Sequence, residues 1–144
     1  MNVAVDVNVL VYASDLASPF QAVARAELAR RVVGADRLYL FWPVISGYLR
    51  IVTHPSIVAD PLPRAQAQAN VARLLQRPNV RAPGEDEGFW RVFAATLDEG
   101  RARGKLVPDA HLVALMRQHG VRDVVTHDRD LRRFDGIRVH DPFG

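Results

Sequence analysis

The feature that most constrains the fold is an apolar run at residues 3–12, which carries one carboxylate, Asp6, near its centre. A continuous run of β-branched residues is typical of a strand buried on both faces, as in the middle of a parallel sheet. Because a carboxylate is costly to remove from water, we expect Asp6 to mark the strand's solvent-facing end. Ligands bind at that edge of open parallel sheets. The pattern predicts either an active-site Asp6 or an Asp that starts a turn or caps the next helix.

The rest of the chain alternates predicted strands with predicted helices. The further strands are predicted at residues 38–42, 79–81, 124–126 and 137–139, and the helices at residues 20–33, 44–53, 64–76, 85–103 and 108–118, with a short turn or helix at 128–134. Strands that alternate with helices pair in parallel. The sequence therefore predicts an α/β fold, a three-layer α/β/α sandwich with a central, mostly parallel sheet, in a single domain at residues 1–144.

Composition and charge exclude some classes of protein and leave others open. Without cysteine the chain has neither disulfides nor thiolate metal sites. No apolar run approaches the roughly 18 residues of a membrane span, and no signal peptide precedes the first strand, so we expect a cytoplasmic protein. All but one of the basic residues are arginine, which favours phosphate ligands but is also what a GC-rich genome encodes. The net charge of +3 therefore permits a nucleic-acid ligand without arguing strongly for one.

Two further carboxylates are predicted to meet Asp6 at the same edge of the sheet. Asp109 lies in the first turn of its predicted helix, on the face that packs against the sheet. A favourable interaction with the helix dipole explains an acid in the first turn, but not one on the buried face. Asp128 follows the predicted strand at 124–126, and Asp130 either reaches the same place or caps the following turn.

Such a cluster of acids predicts a bound cation. Neighbouring carboxylates raise one another's pKa and cannot all stay ionised unaided, and no matching lysine is present. All-oxygen ligands favour Mg²⁺ or Mn²⁺ over Zn²⁺. We interpret His54 and His111 as ordinary helix residues, and His127, beside the acids, as a less favoured ligand. A divalent ion held by carboxylates suits phosphodiester hydrolysis.

The same residues resemble the PIN-domain nucleases, and within them the VapC toxins of bacterial type II toxin–antitoxin pairs. The matching segments follow one another along nearly the whole chain, at residues 5–12, 42–44, 49–55, 106–112, 126–130, 134–139 and 141–143. The resemblance implies an endoribonuclease that depends on Mg²⁺ or Mn²⁺, forms a homodimer and is held inactive by a cognate VapB-type antitoxin. It also implies that Asp6, Asp109 and Asp128 are the catalytic, metal-binding residues.

The resemblance assigns supporting roles to several other residues. Asn8 and Thr126 match the polar positions that support the acids, and Asp130 matches an auxiliary acid. We expect Asp6 and Asp109 to hold the ion and Asp128 to orient the attacking water, directly or through a second water. The phosphate is then expected to contact one of two arginines, Arg50 or Arg129.

One position departs from the family pattern. Many PIN nucleases carry a glutamate on the helix after the second strand, where this chain has Gly47. A glycine inside a helix costs about 1 kcal/mol relative to alanine, so its presence needs a reason, such as close packing or room for a ligand. The departure is compatible with natural variation within a subfamily, which we favour, with an engineered change, or with a loss of activity.

Three functional hypotheses follow from these observations. The first is the metal-dependent endoribonuclease toxin, and the second, suggested by Gly47, is a PIN-fold protein that binds antitoxin or RNA without cleavage. The third is a phosphotransfer domain of the receiver or haloacid-dehalogenase type, which also places an Asp after its first strand. We disfavour the third because Asn8 stands where the dehalogenase type has a second Asp, and no lysine follows the last strand.

The aromatic residues suggest a dimer, because they exceed what one small core obviously needs. Aromatic side chains are, however, more often simply part of a core. The residues concerned are Trp42, Tyr48, Phe89, Trp90 and Phe93.

Overall fold

The structure, a computed structural model that describes residues 1–144, contains one five-stranded parallel sheet. The strands are β1 (Asn2–Val5), β2 (Arg37–Tyr39), β3 (Val80–Arg81), β4 (Asp123–Val125) and β5 (Arg138–His140). Their order across the sheet is β3-β2-β1-β4-β5. β1 therefore lies in the centre with β2 on one side and β4 on the other, the arrangement in which a ligand crevice opens beyond the carboxyl ends of the strands.

Helices cover both faces of this sheet. They are α1 (Val7–Ser14), α2 (Gln21–Val33), α3 (Trp42–Val52), α4 (Arg64–Leu75), α5 (Phe89–Gly100) and α6 (Val107–Gln118), with 3₁₀ turns at Gly104–Leu106 and Arg129–Arg133. Val3, Ala4 and Val5 of the central strand are all buried, as expected for a strand packed on both sides. The predicted three-layer α/β/α sandwich is thus confirmed. None of the helices combines the length and apolarity that crossing a membrane requires.

The first apolar run folds differently from the prediction beyond Asp6. The strand ends at Val5, as predicted, but the remaining residues of the run form α1 rather than extended chain. Asp6 caps this helix, since its carboxylate accepts a hydrogen bond of 2.7 Å from the N–H of Val7. The cap and the packing of Val9 and Leu10 into the core outweigh the strand propensity of β-branched residues.

The strand predicted at 38–42 ends at Tyr39, and Trp42 is already the first residue of α3. Two further differences have local reasons. The helix predicted at 85–103 begins only at Phe89, because Gly88 has a left-handed φ of 80°, and it ends at Gly100. His54 does not lie in a helix, which corrects our interpretation. It follows the end of α3 and precedes Pro55, which disfavours helical backbone at the residue before it.

Candidate metal centre and its surroundings

Three carboxylates meet at the carboxyl edge of the sheet. One oxygen from each of Asp6, Asp109 and Asp128 can be chosen so that all three atoms lie within 4.8 Å of one another. Asp6 follows β1, Asp128 follows the neighbouring strand β4, and Asp109 stands in the first turn of α6. Parallel pairing of β1 with β4 brings the ends of these strands together, although the acids are far apart along the chain.

Asp6 is the most firmly held of the three acids. Its carboxylate accepts hydrogen bonds from the N–H of Val7 and, at 2.9 Å, from the hydroxyl of Thr126. Burial raises the pKa of Asp6, the two hydrogen bonds oppose that rise, and the charge of Asp128 adds to it. Asp6 therefore caps a helix and also belongs to the acidic cluster, so the two roles weighed for it are compatible.

Asn8 and Thr126 join the ends of β1 and β4 into one hydrogen-bonded network. The amide of Asn8 donates to the Thr126 hydroxyl at 2.9 Å and reaches the Asp6 carboxylate at 3.3 Å. The Asn8 amide oxygen accepts from the N–H of His127 at 3.1 Å, and the Thr126 oxygen accepts from the N–H of Asp128 at 2.9 Å. Both side chains thus connect the strand ends that carry two of the acids.

Asp109 carries charge that the protein does not neutralise. No hydrogen-bond donor of the chain contacts its carboxylate, and its pKa is raised to about 7 by partial burial, then by the charges of Asp128, Asp6 and Asp130. Arg133 is the cation that opposes this rise. An excess of negative charge at oxygen ligands fits a divalent cation, so the residues present suit Mg²⁺ or Mn²⁺.

Asp130 lies at the margin of the cluster. It does not cap the turn after β4, as one alternative held. Asp128 is the cap, and its carboxylate accepts from the N–H of Asp130 at 2.9 Å. The Asp130 side chain is partly exposed and lies 3.7 Å from Arg133, and its charge acts on Asp109.

The arginine beside the cluster differs from those that the sequence singled out. Arg50 and Arg129 are exposed, and neither forms a hydrogen bond with Asp6, Asp109 or Asp128. Arg133 donates instead to the carbonyl of Gly100 and affects Asp109 electrostatically. Sequence reasoning missed Arg133 because its spacing does not show which arginine of the 3₁₀ turn has its charge close enough to act on Asp109.

Gly47 lies where α3 packs against the first turn of α1. A Cβ atom at this position would be 3.3 Å from Cγ2 of Val7, so Val7 would have to shift by a few tenths of an ångström. Close packing therefore supplies a physical reason for a glycine inside α3.

A groove with a volume of about 550 Å³ is lined by residues of α1, α2, α3 and α4 and of the loops that join them. Its lining is mostly apolar, and two arginines, Arg25 and Arg73, also contribute. The Tyr48 hydroxyl lies 2.7 Å from that of Ser14 and accepts from the amide of Asn70 at 3.0 Å. The apolar lining residues are Leu10, Ala13, Leu16, Leu28, Ala29, Tyr48, Leu62, Val71 and Leu74.

The aromatic residues considered for a dimer surface divide into two groups. Tyr48 is only 3% exposed, so it belongs to the core and our expectation for it was wrong. Phe89 and Phe93 are half-buried. Trp42 and Trp90 expose 48% and 70% of their surface, although the Trp42 indole donates to the Ala82 carbonyl at 3.0 Å.

Comparison with known proteins connects this geometry to a family. Residues 3–137 match the family model described as PIN domain. The chain is 50% identical over 138 residues to ribonuclease VapC48 of Mycobacterium tuberculosis, an alignment that covers 96% of this chain and 95% of the relative. It is 32% identical to ribonuclease VapC37 of the same species, over the same shares of the two chains.

Solved structures share the fold at much lower sequence identity. A complex of VapBC2 from Rickettsia felis with a fragment of promoter DNA matches with a TM-score of 0.70 at 12% identity, covering 98% of both chains. VapC20 from Mycobacterium tuberculosis, a toxin that cleaves the sarcin-ricin loop, matches with a TM-score of 0.68 at 15% identity, covering 94% of this chain and 98% of that one. A toxin–antitoxin complex from Klebsiella pneumoniae matches with a TM-score of 0.67 at 14% identity, covering 98% of both chains.

Proposed function

Because the chain belongs to the PIN-domain family, in its VapC branch, we propose that it is the toxin of a type II toxin–antitoxin pair and hydrolyses RNA phosphodiester bonds. The observation that carries this proposal is the convergence of Asp6, Asp109 and Asp128 within 4.8 Å. The raised pKa values of Asp6 and Asp109 support it, since unmatched buried charge collects at functional sites.

Asp6, Asp109 and Asp128 would hold a Mg²⁺ or Mn²⁺ ion. When bound, such an ion provides an activated water and offsets negative charge on the phosphate and the leaving oxygen. Thr126 and Asn8 keep the Asp6 carboxylate in place through their hydrogen bonds. These contacts support a purely orienting role for the two polar residues.

The remaining residues act on substrate and charge. Asp128 would orient the attacking water, because its carboxylate lies beside those of the other two acids. Arg133 would share the substrate's phosphate charge, and Arg50 or Arg129 would contact the backbone further along the RNA. Asp130 would serve as an auxiliary acid through its charge on Asp109.

The test is an RNA cleavage assay with the Asp109→Asn variant. Losing one carboxylate of the cluster should cost about 3 kcal/mol of transition-state stabilisation, or about 100-fold in rate. Asp98→Asn is the matched control, because Asp98 is exposed on α5, and this variant should cleave at the wild-type rate. EDTA should stop cleavage by the wild type. Normal cleavage by Asp109→Asn with Mg²⁺ present would contradict the assignment.

The second candidate is a protein of this fold that binds antitoxin or RNA without cutting. Gly47 favours it, because the position usually occupied by a glutamate carries no carboxylate. The same assay separates the two candidates, since RNA turnover by purified wild-type protein that EDTA abolishes excludes a purely binding role.

We also propose that the groove between α1, α2, α3 and α4 takes the antitoxin. Several similar structures are described as toxin–antitoxin complexes, which supports a partner of that kind. Apolar walls together with Arg25 and Arg73 suit an amphipathic helix that carries acidic residues.

Substitution of Leu16 tests this surface. Leu16 lines the groove and is 76% exposed, so Leu16→Glu should weaken antitoxin binding by about tenfold or more without changing RNA cleavage. Val33→Glu is the matched control, because Val33 is 75% exposed outside the groove. Equal antitoxin affinities of the two variants would place the partner elsewhere.

A homodimer is the remaining part of the proposal. The exposed rings of Trp42 and Trp90 support it, because large aromatic side chains in solvent commonly mark protein interfaces. Light scattering at micromolar concentration should give twice the monomer mass, and a monomer would count against the dimer.

A further inference from the structure

The C-terminal turn, residues 141–143, folds back onto the loop that carries Asp128. The Asp141 carboxylate lies 2.9 Å from Nδ1 of His127, the residue before Asp128. Its other oxygen accepts from the N–H of Phe143 at 2.9 Å, which closes the turn. The N–H of Thr126 donates to the carbonyl of His140 at 3.0 Å, so the two residues directly before Asp128 are both attached to the last strand and the turn that follows it.

Aromatic packing reinforces this attachment. The His127 ring has centroid distances of 5.0 Å to Phe20 and 5.4 Å to Phe143. Phe143 also lies 5.1 Å from Phe20 and 5.3 Å from Tyr12, so four rings form a compact cluster beside the acids.

Asp128 needs such support more than the other two acids do. Asp6 follows the central strand and Asp109 belongs to a regular helix, whereas Asp128 lies in the irregular segment between β4 and a 3₁₀ turn. The three like charges repel one another, and the acid on the least regular backbone would move first. Outside the 3₁₀ turn that it caps, its backbone N–H donates to the Thr126 hydroxyl, and the N–H of the preceding residue, His127, donates to Asn8.

We propose that Asp141 and Phe143 are positioning residues of the metal centre, which act through His127 to hold Asp128 beside Asp6 and Asp109. This inference rests on the proposed function, since it assumes that the three acids bind a divalent ion. Neither Asp141 nor Phe143 belongs to the group of acids that would hold the ion. Residues that orient metal ligands typically change metal affinity by 10- to 100-fold when they are replaced.

Titration of Mn²⁺ into the full-length protein without RNA tests the proposal. Asp141→Asn and Phe143→Leu should each weaken Mn²⁺ binding by about tenfold, measured by calorimetry or electron paramagnetic resonance. Phe143→Tyr keeps an aromatic ring in the cluster and should restore wild-type affinity. In RNA cleavage, the variants should need more Mg²⁺ for half-maximal rate and approach the wild-type rate when Mg²⁺ saturates.

Asp123→Asn is the matched control for a loss of stability alone. Asp123 also pairs with a histidine, His140 at 2.7 Å, but at the opposite end of β4. This variant should lose stability and keep wild-type Mn²⁺ affinity. Wild-type Mn²⁺ affinity in both Asp141→Asn and Phe143→Leu would overturn the proposal. Because the titration contains no RNA, failure of the wild type to cleave RNA would overturn the proposed function without deciding this question.

Discussion

The two ends of the parallel sheet treat buried carboxylates in opposite ways. Asp6 at the carboxyl end and Asp123 at the amino end of the strands are almost equally buried, at 5% and 4% exposure. Hydrogen bonds from Arg138, and then from His140, hold the pKa of Asp123 below its ordinary value. Burial instead raises the pKa of Asp6, and no basic side chain acts on its carboxylate as Arg138 acts on Asp123.

The difference distinguishes an acid whose charge the fold itself matches from the acids that we propose bind a metal ion. Asp123 forms two hydrogen bonds with Arg138, at 3.0 and 2.8 Å, so its charge is matched within the protein. At the other end, Asp6, Asp109 and Asp128 leave their combined charge to be matched by something that binds there. Surface exposure alone does not separate these two kinds of acid, since Asp6 lies deeper in the protein and only Asp123 has arginine and histidine partners.

The largest expected difference between the two acids, Asp6 and Asp123, is in RNA cleavage. Asp6→Asn should slow cleavage by about 100-fold or more, because it removes charge from the proposed metal centre. Asp123→Asn changes an equally buried acid and should leave the rate per folded molecule unchanged. Equal losses in the two variants, measured as single-turnover rates at saturating Mg²⁺, would mean that both ends of the sheet have the same role.

The next effect is the stabilisation of the fold by metal. A ligand present at 100 times its dissociation constant raises the free energy of unfolding by about 2.7 kcal/mol. Thermal unfolding with Mn²⁺ should show such an increase for the wild type and for Asp123→Asn, and a much smaller one for Asp6→Asn. An unchanged unfolding temperature of the wild type at high Mn²⁺ would contradict metal binding by the acids at the carboxyl end of the sheet.

The smallest effect is on the pH dependence of the free energy of unfolding without metal. The acids Asp109 and Asp123, at the two ends of the sheet, should change this free energy with pH in opposite directions. The pKa of Asp109 is about 7 in the folded protein against an ordinary 3.8, so its ionisation opposes folding and stability falls as pH rises between these values. Asp109→Asn should therefore stabilise the metal-free protein at pH 8, by about 2 kcal/mol after allowance for solvent screening.

For Asp123 the pKa is lowered on folding, so its contribution is present above the ordinary pKa of 3.8 and is lost as pH falls through the folded value. Asp123→Asn should cost about 1 kcal/mol at pH 7, a modest amount because Arg138 is mostly exposed, and little at strongly acidic pH. Urea unfolding over this pH range measures both variants. The same sign of slope for both acids would contradict the pKa assignments.

The order of helices and strands could be predicted because burial patterns and breakers act locally. Pro43 in the first turn of α3 and Gly34 after α2 mark boundaries that depend only on backbone geometry. The helix α1 at residues 7–14 could not be predicted, since valines fit a buried strand and a buried helix alike. The Asp6 cap and the contacts of Val9 and Leu10 with the core decide that case.

The acids of the site were identifiable for a topological reason, whereas their neighbours were not. Asp6 and Asp128 follow strands of a parallel sheet, and such acids collect at one edge whichever residues separate them. Asp109 was identifiable because it lies on the inward face of the first turn of a helix. No pattern in the sequence indicates that Arg133 lies near the acids or that His127 pairs with Asp141. They depend on the direction of a 3₁₀ turn and on the return of the chain end to the loop after β4.

By itself the sequence determined a parallel α/β fold with Asp6, Asp109 and Asp128 as the candidates for its carboxyl edge, because the alternation of strands and helices implies parallel pairing. Only the tertiary structure decided which charges remain unmatched. The answer depends on distances of a few ångströms between residues remote in the chain. The interactions concerned are the effect of Arg133 on Asp109, the hydrogen bond of Asn8 with Thr126 and the contact of Asp141 with His127. Electrostatic and hydrogen-bond energies change steeply over such distances, and no spacing in the sequence encodes them.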